Sequence, residues 1–466
     1  MSLNTGKYDA IVIGTGQGGK PLATALASAG WKIAVIEGKY VGGTCVNFGC
    51  TPTKSMVASA RIAYLAKRAS EFGVNISSVS VDLKKIRKRK QEIVNSFRQG
   101  GQHGLENMKN LDLIFGKAHF KSSHQIEISI PAGKIRNIES DKIIINTGAK
   151  PIIPDVPGLA ESPFLDSTGI MELEEVPEHL IVMGGGYIGL EFGQMFRRFG
   201  SKVTIIQKGK QLLSREDADV AEAVANILKE DGIEIFLNTN VTRSEKLSSG
   251  KVKISAEREG DSMNFTGSHL LVSAGRVANT TELQLEKTAV QVDNKGNITT
   301  NEFLETNVRG IYAIGDVKGG PAFTHISYDD FRILQANLLY GKRSSIKGRM
   351  VPYTVFIDPE LGRVGLSEKE AKYRGLHFQV AKLPMTHVAR AIETSETRGL
   401  MKAIVDAETH QILGCAVLGI EGGEIMTVLQ MAMMGQVPYT EIKDGIFAHP
   451  TLSESLNNLF MNMDKS

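Results

Sequence analysis

Cys45 and Cys50 stand five residues apart in the stretch Gly42-Gly43-Thr44-Cys45-Val46-Asn47-Phe48-Gly49-Cys50-Thr51-Pro52-Thr53-Lys54. A chain of 466 residues with three cysteines has no disulfide scaffold, so a close pair reads as redox or metal chemistry. Structural zinc is the rival reading, but it needs four ligands and the chain has no second close pair. In a regular helix five residues rise about 7.5 Å, beyond the ~7 Å that a disulfide can bridge between Cα atoms. The segment must be distorted for the sulfurs to meet. Gly49 loosens the turn, and Pro52 is expected to kink it, since proline cannot donate to the carbonyl four residues back and collides with it. A disulfide closed across that distortion is strained and readily reduced. Both sulfurs need to react as thiolates. With an ordinary pKa near 8.5 only about 3% of a thiol is ionised at pH 7, so a helix N-terminus or a protonated histidine is expected to depress both. The third cysteine, Cys415, lies in the apolar run 412–418 and reads as a small buried core residue.

The elements around this segment are those of nucleotide binding. Residues 8–13 form an apolar strand running into Gly14-x-Gly16-x-x-Gly19 and then a helical pattern to Gly30. Such glycines permit a tight turn and close approach to a pyrophosphate, with free N–H groups at the helix start. The next strand, 32–36, ends at Glu37, where a carboxylate can accept from both ribose hydroxyls. The pattern recurs: strand 179–183 leads into Gly184-x-Gly186-x-x-Gly189, a helix, and strand 202–206. Two sites in one chain suggest two different dinucleotides, because an electron carrier needs a donor and an acceptor. The second unit ends in Gln207-Lys208-Gly209-Lys210, with no acid for a free 2′-hydroxyl and with two cations for a 2′-phosphate. NADPH is thereby favoured over NADH, although Gly189 in place of alanine is the more familiar feature of an NAD site.

Strand 143–149 followed by Pro151, Pro154 and Pro157 marks a crossover near residue 150. Strand-to-loop endings at 270–276 and 310–316 suggest a return to the first domain, and from about Met350 the pattern becomes a separate α+β domain. The fold expected is α/β, with segments 1–150, 151–276, 277–345 and 346–466. Charged residues are 23% of the chain and hydrophobic ones 42%, and a net charge of +3 is too small to imply a nucleic-acid partner. The basic run 84–90 reads as a solvated helix face. No apolar run approaches the ~18 residues of a membrane span and no leader precedes the first strand, so a cytoplasmic protein with no membrane association is expected.

Together these motifs resemble the pyridine nucleotide-disulfide oxidoreductase family, which includes dihydrolipoamide dehydrogenase, glutathione reductase and mercuric reductase, over essentially the whole chain. The resemblance implies two Rossmann-like domains, FAD-binding (1–150 with 277–345) and NAD(P)-binding (151–276), and a C-terminal α+β dimerisation domain (346–466). It implies that Cys50 lies against the flavin and that Cys45 is the outer thiol attacking the substrate. The run His449-Pro450-Thr451-Leu452-Ser453-Glu454 resembles the motif in which the histidine is acid/base, the glutamate orients it, and the pair completes the partner subunit's site in a homodimer. An imidazole of pKa ~6.5 suits that task at neutral pH; without the resemblance, His449 reads equally as a helix cap. Lys54 and Glu191 match the family's ion pair beside the flavin. Thr44, the Ala118 backbone, Thr147 and Gly148 are expected at FAD, Asp316 at its ribityl and pyrophosphate region, and the helix start Phe323-Thr324-His325 at its pyrimidine edge. The Val241 and Gly275 backbones are expected at the nicotinamide.

Similarity to mercuric reductase is strong at 43–54 and at Arg215-Glu216-Asp217. Yet the chain ends Met461-Asn462-Met463-Asp464-Lys465-Ser466 without a cysteine pair, keeps His449 where those enzymes have tyrosine, and carries no N-terminal metal-binding domain. Efficient mercury reduction is not expected. Residues 321–332 most resemble the mercuric-reductase-like branch of that family, which includes reactive-chlorine-resistance flavoproteins. The expected function is a FAD-dependent NAD(P)H:disulfide oxidoreductase acting on a small-molecule disulfide or thiol-reactive oxidant. The alternatives are a metal-ion reductase and the dihydrolipoamide dehydrogenase subunit of a larger complex. The acceptor itself is set by surface loops, which shared motifs do not report.

Overall fold

Runs such as Ile11-Val12-Ile13 and Ile143-Ile144-Ile145 are β-branched and wholly apolar, which suits strands buried on both faces of a parallel sheet. The computed structural model describes residues 3–465, and the final residue of the C-terminal run noted above, Ser466, lies outside them. The chain divides into two compact units.

The first unit comprises the described residues up to Ser55, Lys85–Ile152 and Gly275–Arg349. Its centre is a parallel five-stranded sheet in the order Ile311–Ala313, Ile143–Ile145, Ala10–Ile13, Ile33–Glu37, Leu111–Phe115. Every residue of Ala10–Ile13 and Ile143–Ile145 is buried. The strand order places Ala10–Ile13 at the middle, so the glycine turn that follows it opens at the carboxyl edge of the sheet, where open α/β sheets bind ligands. A second sheet pairs Leu3–Lys7, Lys134–Glu139, Gln125–Ile130 and Lys117–Ser122.

The second unit comprises Met56–Lys84, Ile153–Ala274 and the described residues from Met350. It contains a parallel sheet in the order Glu234–Phe236, Lys202–Ile206, His179–Met183, His269–Val272, and an antiparallel three-stranded sheet, Thr239–Lys246, Val252–Arg258 and Asp261–Gly267. Its remaining sheet is antiparallel and five-stranded, Tyr353–Val355, Glu360–Gly365, Ile412–Gly419, Leu400–Asp406 and Phe378–Pro384.

Within this unit the segments before 274 and after 350 are joined by buried charge. The Lys402 side chain is 1% exposed and meets Glu368 at 2.8 Å, Asp217 at 2.9 Å and Asp219 at 3.1 Å. Burial alone would lower this ammonium, but its three carboxylate partners carry it above the ordinary lysine value. Asp217 also accepts the backbone N–H groups of Glu368 and Lys369, both at 3.0 Å. Its neighbour Glu216 is buried against Arg363 and the Tyr353 hydroxyl. The Arg215-Glu216-Asp217 run is thus an anchor between two parts of the fold.

The basic run corrects one expectation. Lys84, Lys85, Lys88 and Arg89 are exposed on helix Leu83–Glu106, but Lys90 is 2% exposed. Lys90 falls on the same helical face as buried Leu83 and Val94, so the solvated face does not include it.

Candidate active site

The cysteine segment is two helices separated by one residue. Cys45 sits within the short helix Gly43–Phe48, and Cys50 is the first residue of helix Cys50–Lys67. Gly49 breaks between them with φ −130° and ψ −114°, and a Cβ at that position would lie 2.9 Å from the Thr44 carbonyl oxygen and 3.4 Å from the Cys45 Cα. The distortion expected from the spacing therefore resides at Gly49 alone. Pro52, expected to kink the helix, lies in its first turn, where no intrahelical partner is lost.

Both cysteines are free thiols here, the reduced state of the pair. The Cys45 thiol is held well above the ordinary range, first by its hydrogen bond with Cys50 and then by burial, while the Thr324 hydroxyl and the Lys54 ammonium pull it down. This overturns the expectation of a depressed Cys45. Two sulfurs in contact cannot both carry charge cheaply, so Cys45 keeps its proton. Cys50, at the start of an 18-residue helix, is where the helix dipole favours negative charge. Its Sγ lies 3.3 Å from the Thr324 Oγ1 at the start of helix Thr324–Tyr340.

The first glycine motif fits a dinucleotide. Helix Gly19–Ser28 begins after Gly18, which has no side chain to cap it, and carries no acid in its first turn, so the positive end of its dipole faces the glycine turn and suits a pyrophosphate. Gly19 packs so closely on the turn that a Cβ would stand 2.2 Å from the Gly14 carbonyl oxygen. Beyond the strand, Glu37 is fixed by the Thr15 N–H at 3.1 Å, the Thr15 hydroxyl at 2.5 Å and the Lys39 N–H at 2.9 Å, with a carboxylate suited to ribose hydroxyls. Gly16, Thr44, Thr147, Gly148, Asp316, Phe323, Thr324 and His325 belong to this same unit, as does Ala118, buried in strand Lys117–Ser122. Asp316 is pushed up by burial, against Arg276 and Lys318, which hold it down. Phe323 and His325 stack with ring centroids 5.4 Å apart.

The second motif repeats the first with one change of charge. Helix Tyr187–Phe199 starts after Gly186 without a side-chain cap or a first-turn acid, and Gly189 packs 2.2 Å, by its missing Cβ, from the Gly184 carbonyl. Gln207 Oε1 accepts the Gly185 N–H at 2.9 Å, the counterpart of the bond between Glu37 and Thr15. Lys208 and Lys210 are exposed, and neither has an ion pair among the described residues. Val241 lies in the second unit and Gly275 at the edge of the first.

His449 and Glu454 are adjacent, as the resemblance implies: Nδ1 lies 2.9 Å from the Glu454 Oε2, on a ring 69% exposed. The carboxylate selects the tautomer with hydrogen on Nδ1, which leaves Nε2 to take or give a proton. Glu191, buried in helix Tyr187–Phe199, accepts the Phe356 N–H at 2.9 Å in the second unit, and Lys54 lies in the first. Cys415 is buried in strand Ile412–Gly419 and pushed up to about 12 by that burial.

Three contributors had no sequence signal of their own. Asn146 is buried, accepts the Gly19 N–H at 2.9 Å and donates to the Ile314 carbonyl at 2.9 Å, tying the glycine turn to the neighbouring strand. Asn279 brackets Thr147, accepting its hydroxyl with the backbone carbonyl and donating to its carbonyl, both at 2.9 Å. Asp330, 0% exposed, accepts from the Gly315 N–H at 2.8 Å and pairs with Lys318 and Arg349, bracing the turn that carries Asp316. Each is a polar residue within or beside an apolar run, where hydrophobic periodicity is silent. Among the described residues no group of three or more His, Cys, Asp or Glu is placed to hold a metal ion, and no helix is long and apolar enough to cross a membrane.

Comparison with known proteins agrees with this geometry. The pattern of the pyridine nucleotide-disulphide oxidoreductase family matches residues 8–330, and that of the family's dimerisation domain matches 351–460. The chain is 40% identical over 458 residues to the probable pyridine nucleotide-disulfide oxidoreductase RclA of Escherichia coli, covering 97% of this chain and 99% of that one. It is 34% identical to mercuric reductase of Staphylococcus aureus, covering 99% and 83%. The solved structure of the HOCl-induced flavoprotein disulfide reductase RclA from Escherichia coli superposes with a TM-score of 0.88 at 39% identity, over 97% of this chain and 99% of that one, and its Cu(II) complex with 0.89.

Proposed function

The chain belongs to the pyridine nucleotide-disulphide oxidoreductase family, and from that premise we propose that it is an NADPH-dependent flavoprotein reductase of small disulfides or thiol-reactive oxidants. Bound at the first motif, FAD supplies the two-electron relay between a nicotinamide and sulfur. The observation that carries the reading is the meeting of Cys45 and Cys50 across the Gly49 break, in the same unit as that motif.

The protein's own groups divide the work. The N-terminal end of helix Gly19–Ser28 and the fixed Glu37 hold pyrophosphate and ribose. Thr44, Ala118, Thr147, Gly148, Asp316 and the Phe323–His325 turn line the rest of the FAD site, with Lys54 at the ring. The Gly184 motif, Gln207, Lys208 and Lys210, with the Val241 backbone, hold the nicotinamide cofactor. Gln207 leaves the ribose end uncharged and the two free lysines attract a 2′-phosphate, which favours NADPH over NADH. In the reduced pair Cys45 holds the proton at Sγ and Cys50 the negative charge. When a substrate disulfide arrives, Nε2 of His449 takes the Cys45 proton, the new thiolate attacks, and the imidazolium returns the proton to the leaving sulfur. We assign residues 346–466 to dimerisation, with His449 acting on the dithiol of the partner subunit.

The test is steady-state turnover with a panel of disulfides, oxidants and metal ions, using NADPH and NADH, for the parent and for Cys45→Ser. Loss of disulfide turnover in Cys45→Ser supports the reading, and unchanged rates refute it. Turnover confined to metal ions would favour a metal-ion reductase, and co-purification with a dehydrogenase complex would favour a docked lipoamide-reducing subunit.

A further inference from the structure

Residues 207–217 run as a strap from the second glycine turn to the buried charges at Lys402, all within the second unit. At the near end Gly185 is held from both sides: its N–H goes to Gln207 Oε1 at 2.9 Å, and its carbonyl accepts the Leu213 N–H at 3.0 Å. Leu212, 1% exposed, packs so closely here that a Cβ on Gly185 would stand 2.6 Å from its Cδ2. At the far end Glu216 is buried against Arg363 and Tyr353, and Asp217 meets Lys402. Between the ends Leu213 has φ +46°, a left-handed conformation that is unfavourable for leucine and persists only where its surroundings enforce it. Gln211 supplies that enforcement. Its Nε2 donates to the Glu216 carbonyl at 3.0 Å and, more weakly, to the Leu213 carbonyl at 3.5 Å. Both neighbours are acceptors, so the donor end of the amide is the end that faces them.

We propose that Gln211 is a positioning residue for the nicotinamide cofactor: its amide draws the strap closed so that Leu213 clamps Gly185, and the glycine turn is set for a diphosphate before the cofactor arrives. The inference rests on the reading of the Gly184 motif as the nicotinamide site. A turn held in its binding geometry raises affinity by removing an ordering cost from the binding step, and it leaves the later electron transfer unchanged. Methionine at 211 keeps the length of the side chain and removes the donor. Glutamate keeps the shape and turns the donor into an acceptor facing two carbonyls.

The experiment is calorimetric titration of the flavin-loaded protein with NADP+ and, separately, with ADP-ribose, which keeps the diphosphate and lacks both the nicotinamide and the 2′-phosphate. Gln211→Met is expected to weaken both ligands about tenfold, the scale of one to two lost hydrogen bonds. Gln211→Glu is expected to weaken them at least as much at neutral pH. In steady state the KM for NADPH is expected to rise by the same factor, with kcat within about twofold of the parent's. A role in stability alone would lower the melting temperature and leave both affinities where they were. That result, or a kcat falling in step with the rise in KM, would overturn the proposal. If Gln211→Met does not fold, Gln211→Ala is read in its place with the same expectations. Parent protein that binds NADP+ no more tightly than ADP-ribose would instead count against the 2′-phosphate reading, and the ADP-ribose titration then still decides the role of Gln211.

Discussion

Gln207→Glu should convert the nicotinamide site from NADPH towards NADH. The structure already contains the product of this substitution at its other motif. Glu37 accepts the Thr15 N–H at 3.1 Å, and Gln207 accepts the Gly185 N–H at 2.9 Å, so a glutamate at 207 has a ready-made backbone partner and gives up only the long Gln207 Nε2 bond to the Gln211 carbonyl at 3.4 Å. What changes is charge. A carboxylate about 5 Å from a 2′-phosphate, in a partly solvated site of effective dielectric ~40, costs roughly 1.7 kcal/mol per unit of phosphate charge. For a charge of about −1.5 to −2 that is roughly 3 kcal/mol, or about a hundredfold in kcat/KM. NADH gains hydrogen bonds from its ribose hydroxyls to a charged acceptor, about 1 kcal/mol or fivefold. The NADPH to NADH ratio of kcat/KM should fall about 500-fold, read by steady-state turnover with both cofactors and a disulfide acceptor. A ratio within a fewfold of the parent's would refute the claim that Gln207 faces the 2′-position.

Lys402→Met should destabilise the second unit by about 2–3 kcal/mol, somewhat under the loss for a fully enclosed pair, because Asp219 and Glu368 keep some water. Asp217, Asp219 and Glu368 are held below their ordinary values, so their stabilisation is present above about pH 4 and is lost as pH falls through the folded values. Lys402 is raised, so its share is lost only above about pH 10. The thermal-unfolding gap between variant and parent should therefore shrink below pH 4, and a gap constant with pH would contradict this. Gly49→Ala pushes a Cβ to 2.9 Å from the Thr44 carbonyl; the strain of about 1–3 kcal/mol should lower the melting temperature and slow closure of the Cys45–Cys50 disulfide, and closure at the parent rate would show that the break tolerates a side chain. His449→Gln should slow disulfide turnover by ~10²–10³ and Glu454→Ala by about tenfold, both without slowing reduction of the enzyme by NADPH in single-turnover mixing; a slowed reductive half would put His449 in the wrong step.

The two nucleotide folds were legible because their signals are local. A strand, a glycine turn and a helix start are contiguous, and Gly19 and Gly189 report a backbone approach that no other residue fits. The cysteine segment was legible for the same reason, although Pro52 was credited with a distortion that belongs to Gly49. Properties that depend on how side chains pack once folded were not. The raised Cys45 thiol depends on Cys50 across the break, Lys90 is buried by the periodicity of its helix, and the Arg215-Glu216-Asp217 run anchors residues more than a hundred positions away. Asn146, Asn279 and Asp330 act through backbone groups of other strands, so their roles exist only once the chain has folded.

The central claim is that electrons from the nicotinamide reach one particular pair of sulfurs. The most direct measurement is mass mapping of alkylated cysteines in the air-oxidised, flavin-loaded protein before and after anaerobic addition of NADPH. The account predicts that Cys45 and Cys50 are linked before addition and both alkylated after it, with buried Cys415 unlabelled throughout. A Cys45–Cys50 bridge that survives excess NADPH while the flavin bleaches would contradict it.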